Sequence, residues 1–299
     1  RSIMADILAL PVIAGEKSAG ERFPGAENTY TCEGMMSDKK ALQAGTSHFL
    51  GQNFAKAFDI KFQNKDLEVE NAWTTSWGVS TRLIGALIMT HSDDDGLVIP
   101  PRVAPTKVVI LPISRSEDVL NEKIVPVAED LAEKLNKRLG GLFVQVDKRF
   151  YMRPGDRFFY HLQKGVPLRL EIGERDLEKN AVMSVRRDTG EKRMLDLDSI
   201  ETLVPEILEE IQKNLFERAY LFREANTYTV NNMEDFKSTL EEKGGFIRAY
   251  FAGNVEDEKA IKESTGATVR CFPLDDESKG TCFMTGRENA RMAIFAKSY

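Results

Sequence analysis

The stretch "GLVIPPRVAPTK", residues 96–107, limits what this chain can fold into more than any other. Pro100, Pro101 and Pro105 have no backbone donor and a fixed φ, so none of them fits a helix interior or a central strand. The stretch reads as a linker, and the chain must fold on either side of it. Length agrees with that division. A single core stops growing at about 250 residues, so a chain of 299 residues is expected to hold two or three domains.

Ahead of the linker, "IMADILALPV" is apolar at helical spacing, with no cap before it and no initiator Met, and reads as the inside of a helix entered midway. The expectation is a C-terminal piece of something longer. "GEKSAGERFPGAENTYT" reads as an exposed Gly-rich loop, followed by two segments rich in Thr, Ser, Trp and Gly. Beyond the linker, "KVVILPI" has the β-branched composition of a buried strand. A charged helix is expected from Ser116 to Arg138, with Glu117 and Asp118 in its first turn and Gly140-Gly141 as its stop; Pro126 should kink or break it. The strand candidates "LFVQVD", "PLRLEIG" and "AVMSVRR" alternate with short helical or loop pieces, which argues for an α/β domain. A long helix near 197–225, then "NMEDFKSTLEEKG" and a strand-like "FIRAYF", form a third block. The expected domains are therefore 1–105, 106–199 and 200–299, in an α/β chain that is α+β overall.

Charge is uneven. Between Asp147 and Arg193 stand twelve Lys or Arg against eight Asp or Glu, in a chain of net charge -6. Such a segment suits a polyanionic partner, or is a solvated surface of mixed charge. Cys32, Cys271 and Cys282 are too few and too scattered for a disulfide framework, so a reducing, cytoplasmic setting is expected. No apolar run is long enough for a membrane helix. Neither G-x-x-x-x-G-K-[ST] nor G-x-G-x-x-G occurs, G-x-S-x-G is missing, and no histidine pair has metal spacing. What remains is "KALQAGTSHFLGQNFAKAF", which carries His48, and "WTTSWGVSTRLIGALIMTH", where Arg82 stands at a strand-to-helix junction. An Arg there meets a phosphate beside helix N-terminal donors, lies against an adenine, or faces solvent.

Together, "ALQAGTSHFLGQNF" and "TSWGVSTRLIGALIMTHSDDDGLVIPPRVAP" resemble the third signature region, and its preceding strand, of class II prolyl-tRNA synthetases of the archaeal and eukaryotic-like type. "KGVPLRLEIGERDL" and "VRRDTGEK" resemble that family's anticodon-binding domain, and the likeness reaches the terminal "KSY". The resemblance implies the remainder of an antiparallel-sheet catalytic domain, then an α/β anticodon-binding domain, then a small α/β C-terminal domain. The activity it implies is ATP-dependent formation of prolyl-adenylate from L-proline and transfer of the prolyl group to tRNA(Pro), by a full-length homodimer in the cytoplasm, with no membrane partner. The alternative is a non-catalytic tRNA-binding or regulatory relative, which should have lost some site residues.

By position in the family pattern, Gln43 would hold ATP and its Mg²⁺, Thr46 and Ser80 the nucleotide, and Arg82 would stack on adenine near the phosphates as the catalytic cation. His48 would line the proline pocket, and Glu33 could face the imino group. Arg153, Arg157, Lys164, Arg169 and Arg175 are candidate anticodon contacts, with Phe158, Phe159 and Tyr160 as stacking faces or as core. The first two class II signatures are missing, so this chain alone is expected not to activate proline. Many relatives hold zinc through four cysteines, where this chain has Ala252, Asp257, Cys282 and Met284; one thiolate cannot make a tetrahedral site, and no zinc is expected. A terminal tyrosine, here Tyr299, is also usual in the family.

Overall fold

The computed structural model describes residues 1–299. A π-helical turn at Ile3–Ile7 replaces the expected longer opening helix. Then come β1 (Ile13–Glu16), β2 (Asn28–Met35), β3 (Ala41–Gly51), α1 (Asn53–Ala57), β4 (Lys61–Gln63), β5 (Val69–Asn71), β6 (Thr74–Gly78) and α2 (Arg82–His91). The middle of the chain forms β7 (Val108–Ile113), α3 (Glu117–Val119), α4 (Val125–Leu139), β8 (Val144–Val146), α5 (Pro154–Gln163), β9 (Leu168–Gly173), α6 (Glu174–Leu177), β10 (Ala181–Arg186), β11 (Lys192–Asp196) and α7 (Ile200–Ala225). The last block holds β12 (Thr227–Thr229), α8 (Met233–Glu242), β13 (Phe246–Phe251), α9 (Val255–Thr265), β14 (Thr268–Pro273), β15 (Lys279–Gly280) and β16 (Ala290–Ala296).

Two compact units result, and the linker does not simply separate them. One unit combines residues 1–4, 10–90 and 220–299; the other combines 5–9 and 91–219. The first is built on a nine-stranded sheet in the order β12-β13-β16-β14-β1-β2-β3-β6, with β15 paired to β16. The junction is antiparallel β1–β14 pairing, Gly15 opposite Pro273, which brings the first and last blocks of sequence into one sheet. Gly15 has to be glycine there, because a Cβ would lie 2.4 Å from that of Cys271. A phenylalanine cluster, Phe236, Phe251, Phe283 and Phe295, fills the C-terminal end of this unit.

The second unit carries a five-stranded sheet, β11-β10-β9-β7-β8. β7 is parallel to β8 and β9, and β10 is antiparallel to β9 and β11. Alternation along β7 divides its residues between two layers. Val108 and Ile110 pack with Leu131 and Leu135 of α4 and with Ile207 and Ile211 of α7, whereas Val109 and Leu111 pack with Phe158 of α5. The sheet is mixed, and the helices on its two faces follow from the crossovers that its parallel strands β8, β7 and β9 require. The expected kink at Pro126 takes a milder form. Pro126 is the second residue of α4, directly after a π-helical turn at Leu120–Ile124 whose last bond runs from Val125 N–H to the Leu120 carbonyl, so the helical run continues from Glu117 to Leu139 with the misfit taken up in that turn. Gly140 ends α4 at φ 72. No helix is long and apolar enough to cross a membrane.

Candidate functional site

In the first unit, the polar side chains gather on β2 and β3. Pairing puts Thr31 opposite Thr46 and Thr29 opposite His48, but a bulge then sets Cys32 against Gly45 and Glu33 against Gln43, leaving Ala44 as the extra residue. Side chains alternate faces along a strand, so Gln43 without the bulge would point away from Thr46 and His48. With it, all three share one face. His48 Nδ1 is 3.0 Å from Thr29 Oγ1, and its ring sits 4.8 Å from that of Phe23, which reaches over from the loop between β1 and β2. Burial there lowers the His48 pKa. Sequence reasoning misses Phe23; only its place in a Gly-rich loop marks it.

Arg82 is the first residue of α2 and is exposed, and its backbone N–H donates to Ser80 Oγ at 3.3 Å. The two therefore stand together at a ten-residue helix N-terminus, where donors and dipole favour an anion. On the opposite face of the sheet from His48 lies a hollow of about 300 Å³, bordered by Met4, Ala14, Tyr30, Cys32, Ser47 and Trp77.

Glu33 departs from its expected role. It is 0% exposed, and both oxygens are occupied: Oε2 accepts from Arg270 Nε at 3.0 Å and Nη2 at 2.9 Å, and Oε1 from Thr31 Oγ1 at 2.7 Å. Lys17 Nζ stands 3.0 Å from Oε1, off the line of a good hydrogen bond, so its attraction is coulombic. A substrate imino group would have to displace these partners. Arg270 also donates to Thr268 and Ser298. At the chain end, Tyr299 OH donates to Asp38 Oδ2 at 2.5 Å, and Ser298 bridges to Ala41, at the start of β3. Burial and Asp38 together push the Tyr299 phenol up to about 12.

The second unit's polar cluster is built around α5. Asp147 accepts from Arg149 Nη2 at 2.7 Å and from His161 Nε2 at 2.8 Å. Burial raises its pKa, but these bonds outweigh burial and hold the carboxyl well below the usual range. The Arg149 guanidinium lies 3.9 Å over the Tyr160 ring, which is partly exposed. Of the five candidate cations, Arg153, Lys164 and Arg175 are exposed. Arg169 pairs with Glu171 and covers Phe158. Arg157 departs from expectation: it is 3% exposed and donates to the carbonyls of Asp147 and Pro112, which makes it a cation of the interior. Phe158 is core, while Phe159 presents an open face. Arg169 and His161 also border a hollow of about 310 Å³, with Arg186, Arg187 and Thr189.

No group of three or more His, Cys, Asp or Glu could hold a metal ion. Asp257 is committed to the α9 cap with Asn254, and Cys282 is buried among the phenylalanines. Burial raises the Cys282 pKa, and hydrogen bonds from Thr285, Ala252 and Met284 bring it below the ordinary value. Cys271, by contrast, is pushed up to about 12 by burial, an inert interior thiol.

Residues 107–207 match the family "Anticodon binding domain", and residues 233–299 match "Prolyl-tRNA synthetase, C-terminal". The chain is similar to the C-terminal region of prolyl-tRNA synthetases. Relatives named proline--tRNA ligase include those of Bacteroides fragilis, 52% identical over 297 residues, and Porphyromonas gingivalis, 48% identical over 298; each alignment covers 98% of this chain and 59% of the relative. The chain thus spans 59% of the length of those prolyl-tRNA synthetase relatives. Among solved structures, the prolyl-tRNA synthetase of Cryptosporidium parvum, complexed with L-proline and AMP, superposes with a TM-score of 0.90 at 36% identity, covering 100% of this chain and 64% of that one.

Proposed function

We propose that this chain is the part of a proline--tRNA ligase that supplies one wall of the activation site and the anticodon-binding domain. The observation that carries this reading is the β3 bulge, which aligns Gln43, Thr46 and His48 on one face with Phe23 folded onto His48. A half-apolar, half-polar niche of this kind suits a small cyclic amino acid: Phe23 offers apolar surface, and burial lowers the His48 pKa, favouring its neutral ring. Gln43 and Thr46 present an amide and a hydroxyl beside it, which fits a nucleotide and its Mg²⁺, and Arg82 with Ser80 adds a cation at a helix N-terminus. Bound MgATP would supply the electrophilic α-phosphate. The protein's own residues position the two reactants and neutralise charge as the proline carboxylate attacks.

In the same reading, residues 1–105 act in activation, 106–199 grip the anticodon of tRNA(Pro), and 200–299 brace the first part. The full-length enzyme works as a cytoplasmic dimer without zinc, its C-terminal block held by the phenylalanine core. Proline-dependent ATP–pyrophosphate exchange tests this. Exchange is expected to be negligible with this chain alone and present in the full-length protein. There, His48→Ala should raise the proline KM by about ten-fold or more while leaving the ATP KM within about two-fold, the signature of removing ground-state binding to one substrate. Equal effects on both KM values would return His48 to a packing role.

A further inference from the structure

The loop that carries Phe23 runs for eleven residues between β1 and β2, and its first residues are held by the far end of the chain. Ser18, almost fully buried, donates to Glu258 Oε2 on α9 at 2.7 Å. Gly20 packs so close that a Cβ would lie 2.6 Å from the same oxygen. Lys17 donates its N–H to the Thr29 carbonyl at 2.8 Å, and its ammonium meets Glu33, which Arg270 of β14 grips with two nitrogens. Beyond these anchors the loop returns to β2 through Phe23, whose N–H donates to Thr29 Oγ1 at 3.2 Å, the same oxygen that meets His48. A loop of this length, open at the surface, samples many conformations unless tied at its ends. Here one tie comes from α9 and one from β14.

We propose that Glu258 and Arg270 are positioning residues for the amino-acid pocket: from the C-terminal block, they fix the start of the loop so that Phe23 closes on His48. The C-terminal block thereby sets affinity for the amino acid without touching it. This rests on the reading of His48 as a proline contact, and two measurements keep the claims apart.

The first uses this chain and needs no activity. Only three histidines are present, so the His48 ring resonances are separable from those of His91 and His161. The nearby Phe23 ring displaces them, and Phe23→Leu identifies them. Glu258→Ala should move the His48 signals most of the way to their Phe23→Leu positions and leave the other two histidines in place. Glu258→Gln keeps an acceptor for Ser18 and should restore the wild-type spectrum. If Glu258→Ala fails to fold, Ser18→Ala removes the same bond. Unmoved His48 signals in the folded variant would overturn the proposal.

The second measurement is proline-dependent exchange in the full-length protein. Glu258→Ala or Arg270→Gln should raise the proline KM about five-fold, with the ATP KM and kcat within about two-fold. Parallel rises in both KM values would reduce both residues to general stability and overturn the proposal. A moved His48 signal with an unchanged proline KM would uphold the loop coupling and remove proline from the His48 pocket.

Discussion

Glu33 in one unit and Asp147 in the other are both buried among cations, and the two clusters are finished differently. Glu33 is sealed: Lys17 and Arg270 are themselves almost fully inside, at 3% and 6% exposure. Asp147 is equally deep, but its main partner Arg149 reaches outward and ends stacked on a partly exposed tyrosine. A sealed cluster acts only through the strands and loop it holds, whereas one that grades outward also presents a cation–aromatic pair at the surface. The difference marks the Glu33 network as a brace and leaves the α5 cluster with a cation–aromatic pair at the surface.

Removing each carboxylate tests that contrast. Glu33→Ala strands two buried cations, and breaking a buried pair in this way costs about 3–5 kcal/mol. Denaturant unfolding should show that loss, and a loss under about 1 kcal/mol would mean that water reaches Lys17 and Arg270. A third buried titratable group sets the next largest effect. His91 is inside, its Nε2–H donating to the Leu8 carbonyl at 3.0 Å while Nδ1 has no partner. Burial pushes its pKa from 6.5 down to about 4. Because the folded value lies below the unfolded one, the unfolded chain binds the extra proton between those pH values. Stability is therefore full above pH 6.5 and falls as pH drops, by about 3 kcal/mol in all. His91→Gln should flatten that part of the stability–pH curve; an unchanged slope would assign acid lability elsewhere.

Asp147→Ala should cost less than Glu33→Ala, about 1–3 kcal/mol, because Arg149 can turn into water once its partner is gone. Its depressed pKa also means that its contribution persists through the pH range where His91 fails, and is lost only in stronger acid, as the carboxyl takes up its proton. Equal costs for the two substitutions would erase the distinction between sealed and graded clusters. The smallest effect concerns the surface. Neutralising Arg153, Lys164 and Arg175 together should weaken tRNA binding and reduce the slope of log K against log salt by about 0.7–0.9 for each phosphate no longer neutralised. Arg157→Gln should instead lower stability, since it leaves two buried carbonyls without their donor. If Arg157→Gln altered salt dependence as the exposed three do, the interior assignment would fail.

Local pattern announces most of the elements. The β-branched run of β7, the Gly140 stop of α4 and the strand "FIRAYF" each follow from short-range chemistry and appear as expected. The residue set around His48 is legible because its members lie close together in sequence and match a known pattern. What cannot be read depends on distant pairing. Arg270 meets Glu33 across 237 positions, and neither residue carries a local sign of the other. The bulge at Ala44 is invisible because a strand with one extra residue has the same composition as one without. Arg157 and His161 stand four apart on the buried side of α5, so two polar residues occupy the helix face that periodicity would give to apolar ones.

The β1–β14 junction has a consequence for synthesis. Gly15 leaves the ribosome long before Pro273. At about 5–20 residues per second, β1 waits roughly ten to fifty seconds with one edge unpaired. During that interval the nascent chain exposes a strand whose partner has not been made, so this edge is where a holding chaperone would protect it from pairing with a neighbour on the same polysome.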